Sequence, residues 1–111
     1  MIISEFAAKL SLEPICTPDL SRNVEGAYTG DLLSWVMTRL KSDWAWVTIM
    51  DNINIVAVAS LSDASCIILS ENAEPSEDVI QKALSQNINI FRTGKSSLEI
   101  SYEIGSVLYA K

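Results

Sequence analysis

The sequence has no histidine. That removes the side chain most used as a general base near neutral pH and the commonest metal ligand. Cysteine is nearly as scarce. Cys16 and Cys66 stand far apart in apolar settings, and neither has a CxxC partner. They read as buried thiols packing as small hydrophobes, ahead of any disulfide or redox role. Basic residues are few: 8 against 14 acidic, for a formal charge of −6. An acidic surface repels phosphate backbones, so no nucleic-acid partner is expected. Docking on anionic membranes is disfavoured for the same reason. No apolar run reaches the roughly 18 residues that span a bilayer. A basic segment followed by a long apolar run is also missing at the N-terminus, so no signal peptide is expected. Together these absences suggest a cytoplasmic protein that holds neither metal nor cofactor.

What is present suits a globular body. Of 111 residues 49% are hydrophobic and 20% charged, enough for one domain over 1–111 to bury a core unaided. Ser4 is placed to cap a first helix over about 4–10, with Phe6, Ala7 and Leu10 on its apolar side. Glu13 to Thr17 is extended, and Pro14 confines it to a sheet edge, because proline cannot donate to a ladder. Arg22 to Leu40 reads as a short strand, a small-residue turn and a helix. Gly26 and Gly30 bracket the turn, where glycine tolerates angles that other residues avoid. Thr29 or Asp31 caps the helix, and Leu32, Leu33, Val36, Met37 and Leu40 share its apolar face.

Trp44 to Ile49 is the clearest strand, aromatic and β-branched, and apolar on both faces as an interior parallel strand must be. Residues 51–62 are ambiguous between strand and helix. The helix is favoured because Ile53, Val56, Ala57, Ser60 and Leu61 fit the helical template. Asp51 or Asn52 would start it and Ser62-Asp63 would end it. Cys66 to Leu69 is a second interior strand. Ser76 caps a helix to about Gln86 whose Val79, Ile80, Ala83 and Leu84 face the sheet, and Asn87 closes it. Asn89 to Arg92 is a short strand. Ser96 or Ser97 caps the last helix, which carries the seam Leu98, Tyr102, Gly105 and Tyr109 beside Ile100, Ile104, Val107 and Leu108. Strands alternating with helices from Val24 onward predict an α/β fold: three layers, α/β/α, with a mainly parallel sheet.

Few motifs suggest chemistry. Thr93-Gly94-Lys95-Ser96 resembles the tail of a phosphate loop, but Asn89 stands where its first glycine belongs and the loop is too short to wrap a phosphate chain. A looser anion contact through Lys95 and free N–H groups stays open. Thr29-Gly30-Asp31 opens a helix and could also meet an anion, although the Asp31 carboxylate would compete for those N–H groups. The scattered acids form no metal-ligand spacing and read as a solvated face. Trp35 lies at the margin of its helix's apolar arc, so it is either core or subunit interface. Tyr102 and Tyr109 carry the same two readings.

Arg22-Asn23-Val24-Glu25-Gly26-Ala27-Tyr28-Thr29-Gly30-Asp31-Leu32-Leu33-Ser34 resembles the signature of the DRTGG domain family: an Asp-Arg pair, a Gly-Gly pair, then Asp-Leu-Leu. Asn54 to Ala59 and the Cys66–Leu69 strand resemble the segments that follow. Ser21 replaces the family's Asp, and Ala27 replaces its second Gly. The family is similar to the N-terminal domain of HPr kinase/phosphorylase, which lacks that kinase's catalytic phosphate loop. Its members also occur as modules of some phosphotransacetylases and regulated pyrophosphatases. The resemblance implies the α/β fold, a helix over 51–62 and self-association, and it supplies no catalytic residue.

The expected function is therefore a non-catalytic regulatory or assembly module acting as a homodimer or on a protein partner. Trp35, Tyr102 and Tyr109 are its candidate interface residues. The alternative is a sensor of a nucleotide or other small anion, with Arg22, Gly26, Thr29, Gly30, Asp31, Thr93, Gly94 and Lys95 as candidate contacts. An enzyme is the least expected class.

Overall fold

A computed structural model describes residues 1–109. The elements run α1 (Ile3–Lys9), β1 (Glu13–Cys16), β2 (Gly26–Thr29), α2 (Leu33–Arg39), β3 (Trp44–Thr48), α3 (Asn54–Ser62), β4 (Cys66–Leu69), α4 (Glu77–Ser85), β5 (Ile90–Arg92) and α5 (Ser97–Tyr109). The sheet order is β1-β5-β4-β3-β2. β2 to β5 are mutually parallel, and β1 is antiparallel on the β5 edge. The α/β/α expectation holds, and the Pro14 strand does lie at an edge. Within residues 51–62, Asn54–Ser62 is a helix, starting from Ile53 rather than from Asp51 or Asn52, and it makes the connection that two adjacent parallel strands require.

Each face of the sheet has its own core. Trp46, Ile67, Leu69 and Ile90 point to one side, where α2, α3 and α4 cover them with Val36, Leu40, Ile55, Val56, Ala59, Val79 and Ala83. Ala45, Val47, Cys66, Ile68 and Phe91 point to the other, under α1 and α5, which contribute Ile3, Phe6, Leu10, Ile100 and Ile104. Strands apolar on both faces are what a two-sided sheet needs, so β3 and β4 were the easiest elements to find.

Several local expectations fail. Gly26 to Gly30 is not a turn: Gly26–Thr29 is strand β2, and no glycine has positive φ. Gly26 is required by a close approach instead. A Cβ there would lie 2.6 Å from Cε2 and Nε1 of Trp44. Neither Thr29 nor Asp31 caps α2, whose N-cap is Leu32 without a side-chain bond. Ser4 lies inside α1 rather than capping it, and Ser76 occupies the N-cap of α4 without a side-chain hydrogen bond. Ser96 does cap α5. Its hydroxyl accepts from the Glu99 N–H, and the Glu99 carboxylate accepts from the Ser96 N–H, both at 3.2 Å. That reciprocal pair is a capping box.

Helix faces were the least legible feature. On α3 the buried residues are Ile55, Val56, Val58 and Ala59, while Ile53, Ala57 and Leu61 are exposed. Almost every position from 53 to 59 is apolar, so periodicity alone could not choose the row. On α2 only Val36 is buried, and Leu32 and Met37 face water. Leu84 of α4 is exposed as well.

Candidate functional site

The proposed contact residues fall into two groups at opposite ends of the sheet. Arg22 and Gly26 lie where the parallel strands begin. Thr29, Gly30, Asp31, Thr93, Gly94 and Lys95 lie where they end, about 13 Å away along a four-residue strand.

At the first end Arg22 joins three chain segments. Its Nε donates to Asp43 Oδ1 at 3.2 Å. Its Nη2 lies 2.7 Å from Asp63 Oδ1 and also donates to the Asp63 carbonyl oxygen. Asp43 and Asp63 have φ of 64° and 57°, the left-handed region that Asp and Asn tolerate best. Asp43 directly precedes β3, and Asp63 is the C-cap of α3, at the start of the short connection into β4. The Ser42 hydroxyl, 2.7 Å from Asp63 Oδ2, and then Arg22 hold the Asp63 carboxyl below the usual carboxylate range. Arg22 thus fastens the loops that precede β2, β3 and β4. Ser21, in place of the expected acid, bonds Asp19 at 2.8 Å. Neither Asp43 nor Asp63 was expected as a partner of Arg22; Asp63 stood out only as a helix end.

At the other end Asp31 Oδ1 accepts from the Thr48 hydroxyl at 2.7 Å and from the Ile49 N–H at 2.9 Å. The carboxylate therefore ties the end of β2 to the end of β3. The Thr29 hydroxyl lies 2.6 Å from that of Ser101 on α5, and Ser70 pairs with Ser97 at 2.7 Å. The carbonyl of Gly30 accepts from the buried Trp46 indole N–H at 2.9 Å.

The Thr93-Gly94-Lys95 loop is equally committed. Its carbonyls at Thr93 and Lys95 accept from the N–H groups of Asn72 and Glu71, both at 2.9 Å. Glu71 and Asn72 both have positive φ, with the Ala73 N–H donating to the Ser70 carbonyl at 3.0 Å. That is the geometry of a type I′ turn. Lys95 Nζ lies 2.6 Å from Glu103 Oε1. The nearby Arg92 is held by Glu74 at 2.7 Å and Glu13 at 2.9 Å. Asn89, where a phosphate loop would begin, is buried and bonds Asp19 and Ser65.

Topology also bears on a ligand reading. The parallel strands follow one another in order, and α2, α3 and α4 all cover the same face. A doubly wound sheet opens a crevice where strand order reverses, and these four strands have no reversal. β2 and β5 are three strand spacings apart, roughly 14 Å, so Thr29 and Thr93 do not converge.

Both thiols are buried and free. Burial pushes the Cys66 thiol up to about 12 and raises that of Cys16 as well. Among the described residues no three acidic or thiol side chains gather as a metal site, and no helix is long and apolar enough to cross a membrane. A largely apolar groove of about 310 Å³ runs between α1 and the β1 edge, lined by Ala7, Ala8, Leu12, Pro14, Leu20 and Phe91 among others.

The candidate interface residues are on the surface. Trp35 is 52% exposed, with the Arg39 guanidinium 4.0 Å above its ring. Tyr102 and Tyr109 project from the solvent side of α5. The expectation that left Trp35 open to a core position is thus resolved in favour of the surface.

A family model described as the DRTGG domain matches residues 15–107. The chain belongs to the DRTGG domain family. The DRTGG fold extends to a solved structure at 17% identity and a TM-score of 0.69, described as the CBS and DRTGG domains of the regulatory region of Clostridium perfringens pyrophosphatase complexed with the activator diadenosine tetraphosphate. The match covers 93% of this chain and 45% of that one, so the DRTGG chain described here spans less than half of its structural relative. A search of curated proteins returned no match. Within the DRTGG signature of this chain, Arg22, Gly26 and Asp31 each make a contact between neighbouring strands or their loops.

Proposed function

We propose that this DRTGG domain is a non-catalytic regulatory or assembly module, cytoplasmic, that works as a homodimer. The observation that supports it best is the outer face of α5, where Leu98, Tyr102 and Tyr109 stand in water on a helix already anchored by Ile100 and Ile104. Exposed aromatics in a row are costly to leave solvated and suit an interface. Trp35 offers a third exposed aromatic, on the opposite layer. The polar residues of the signature are spent on the fold, which fits a module that acts by contact. Multi-angle light scattering across a concentration series tests this reading, with a dimer expected. A strict monomer at millimolar concentration overturns it.

A second reading has one specific support: the structural relative is described as complexed with a dinucleotide activator. In this reading an anion binds near Thr29-Gly30 or Thr93-Gly94-Lys95 after displacing Glu103 from Lys95. Thermal-shift measurements with nucleotides and acyl phosphates test it, and flat melting temperatures remove it.

A further inference from the structure

Helix α5 carries two separate apolar rows. Ile100 and Ile104 are buried, with Val107 and Leu108 packed beside them. Leu98, Tyr102, Gly105 and Tyr109 follow one another at i, i+4, i+7 and i+11, the spacing that keeps residues on one helical face. This second row faces solvent: Leu98 is 80% exposed, Tyr102 75% and Tyr109 61%. Ser101, Tyr102, Gly105, Ser106 and Tyr109 surround a shallow depression of about 420 Å³. A Cβ at Gly105 would meet nothing within 4 Å, so the glycine opens outward and leaves a notch.

The row is self-complementary. An antiparallel second helix, related by a two-fold axis midway between Glu103 and Ile104, sets Tyr102 opposite Gly105 of the second copy. The same axis sets Leu98 opposite Tyr109 and Ser101 opposite Ser106. Every bulky residue thus meets a notch or an apolar side chain, as knobs-into-holes packing requires. Charge permits the approach. Glu103 is neutralised by Lys95 at 2.6 Å, and Glu99 is turned back onto the Ser96 N–H. The tyrosine hydroxyls reach water at the rim. Two tyrosines of about 150–250 Å² each, with Leu98, bring roughly 500 Å² of surface per copy to such a contact. With its polar flanks it approaches the low end of stable interfaces, about 600–800 Å² per partner.

We propose that a second copy of this chain docks α5 against α5, antiparallel about that axis, with Tyr102 of each copy seated over Gly105 of the other. The proposal rests on the homodimer reading and adds its geometry. Disulfide trapping tests it, using Leu98→Cys and Tyr109→Cys, singly and mixed. In the mixed dimer the two new thiols oppose one another, and the other end of the helix pair keeps its native residues. Within either single variant the equivalent thiols are about 16 Å apart along the axis, beyond the reach of a disulfide. The native thiols are buried and do not compete. Mild oxidation should cross-link the mixture several-fold more than either variant alone. Gly105→Leu, which fills the notch, should weaken dimerisation at least tenfold while melting as a folded monomer. A dimer indifferent to Gly105→Leu, or equal cross-linking of a single variant, overturns this geometry and leaves the homodimer reading standing. A strictly monomeric wild-type chain overturns both.

Discussion

Replacing Gly26 with alanine tests how the family's signature glycine works in this chain. If it served a turn, its importance would lie in backbone angles; its φ is not positive, so alanine would cost nothing on that account. The structure places the cost in a collision. The new methyl would lie 2.6 Å from two atoms of the Trp44 indole, on the strand registered directly beside Gly26. Overpacking of this kind costs about 1–3 kcal/mol. The lower chain entropy of unfolded alanine returns about 0.4–1 kcal/mol. The net loss is then roughly 0.5–2 kcal/mol, near 2–8 °C in melting temperature for a domain of this size. Urea and thermal unfolding measure it. Because the indole causes the cost, Trp44→Leu should lose less stability in the Gly26→Ala background than in wild type, by about 1 kcal/mol in a double-mutant cycle. A Gly26→Ala variant as stable as wild type, or strictly additive changes in the cycle, would refute the reasoning.

Four other outcomes are expected. Arg22→Met removes the cation shared by Asp43 and Asp63 and should cost about 1–2 kcal/mol in chemical denaturation, the exposure of Asp63 keeping the figure low. The Asp63 carboxyl is held low in the folded state, so its stabilisation is complete above about pH 5 and lost as pH falls through the carboxylate range. The acid limb of the stability profile should therefore be shallower in Arg22→Met than in wild type. Trp46→Phe strands the Gly30 carbonyl and loses ring volume in a fully buried position, for about 2 kcal/mol by urea titration. Cys16 and Cys66 should resist a thiol-reactive dye until urea exposes them, because burial disfavours both thiolates. Their folded thiols ionise above the unfolded value, so stability should also decline as pH rises past about 8.5. Gly105→Ala, in dilute monomer, should raise stability by about 0.5–1 kcal/mol, since the helix gains a better former and the methyl meets nothing.

The fold was legible wherever burial left little choice. β3 and β4 are apolar on both faces, and only an interior strand in a covered sheet can satisfy that pattern. The edge position of β1 followed from Pro14, and α3 ends at the expected Ser62-Asp63. Helix faces were not legible where apolar residues exceeded what one face can bury. On α5 two apolar rows compete. Ile100 and Ile104 win the core, and the row first read as a seam of the packed helix turns outward. The candidate site was half legible. Arg22, Gly26 and Asp31 stood out as signature residues, but their partners did not. Asp63 lies 41 positions from Arg22, and Thr48 lies 17 from Asp31. Such contacts depend on strand order, which no local pattern encodes.

The signature of this chain is therefore concerned with strand order. Arg22 gathers the loops ahead of β2, β3 and β4, Gly26 lets β2 approach β3 beneath an indole, and Asp31 ties the far ends of the same two strands. All three act on β2, which among the described residues has a strand partner on one side only. An edge strand of four residues has few ladder bonds to hold its register, and a slip of one residue would move Tyr28 and Ala27 to the wrong faces. Side-chain fasteners at both ends remove that freedom. The same strand supports α5, through Thr29 and Ser101, so a fixed β2 also fixes the outward row of Leu98, Tyr102 and Tyr109. Stability at one edge and the placement of the exposed row above it are then a single structural problem.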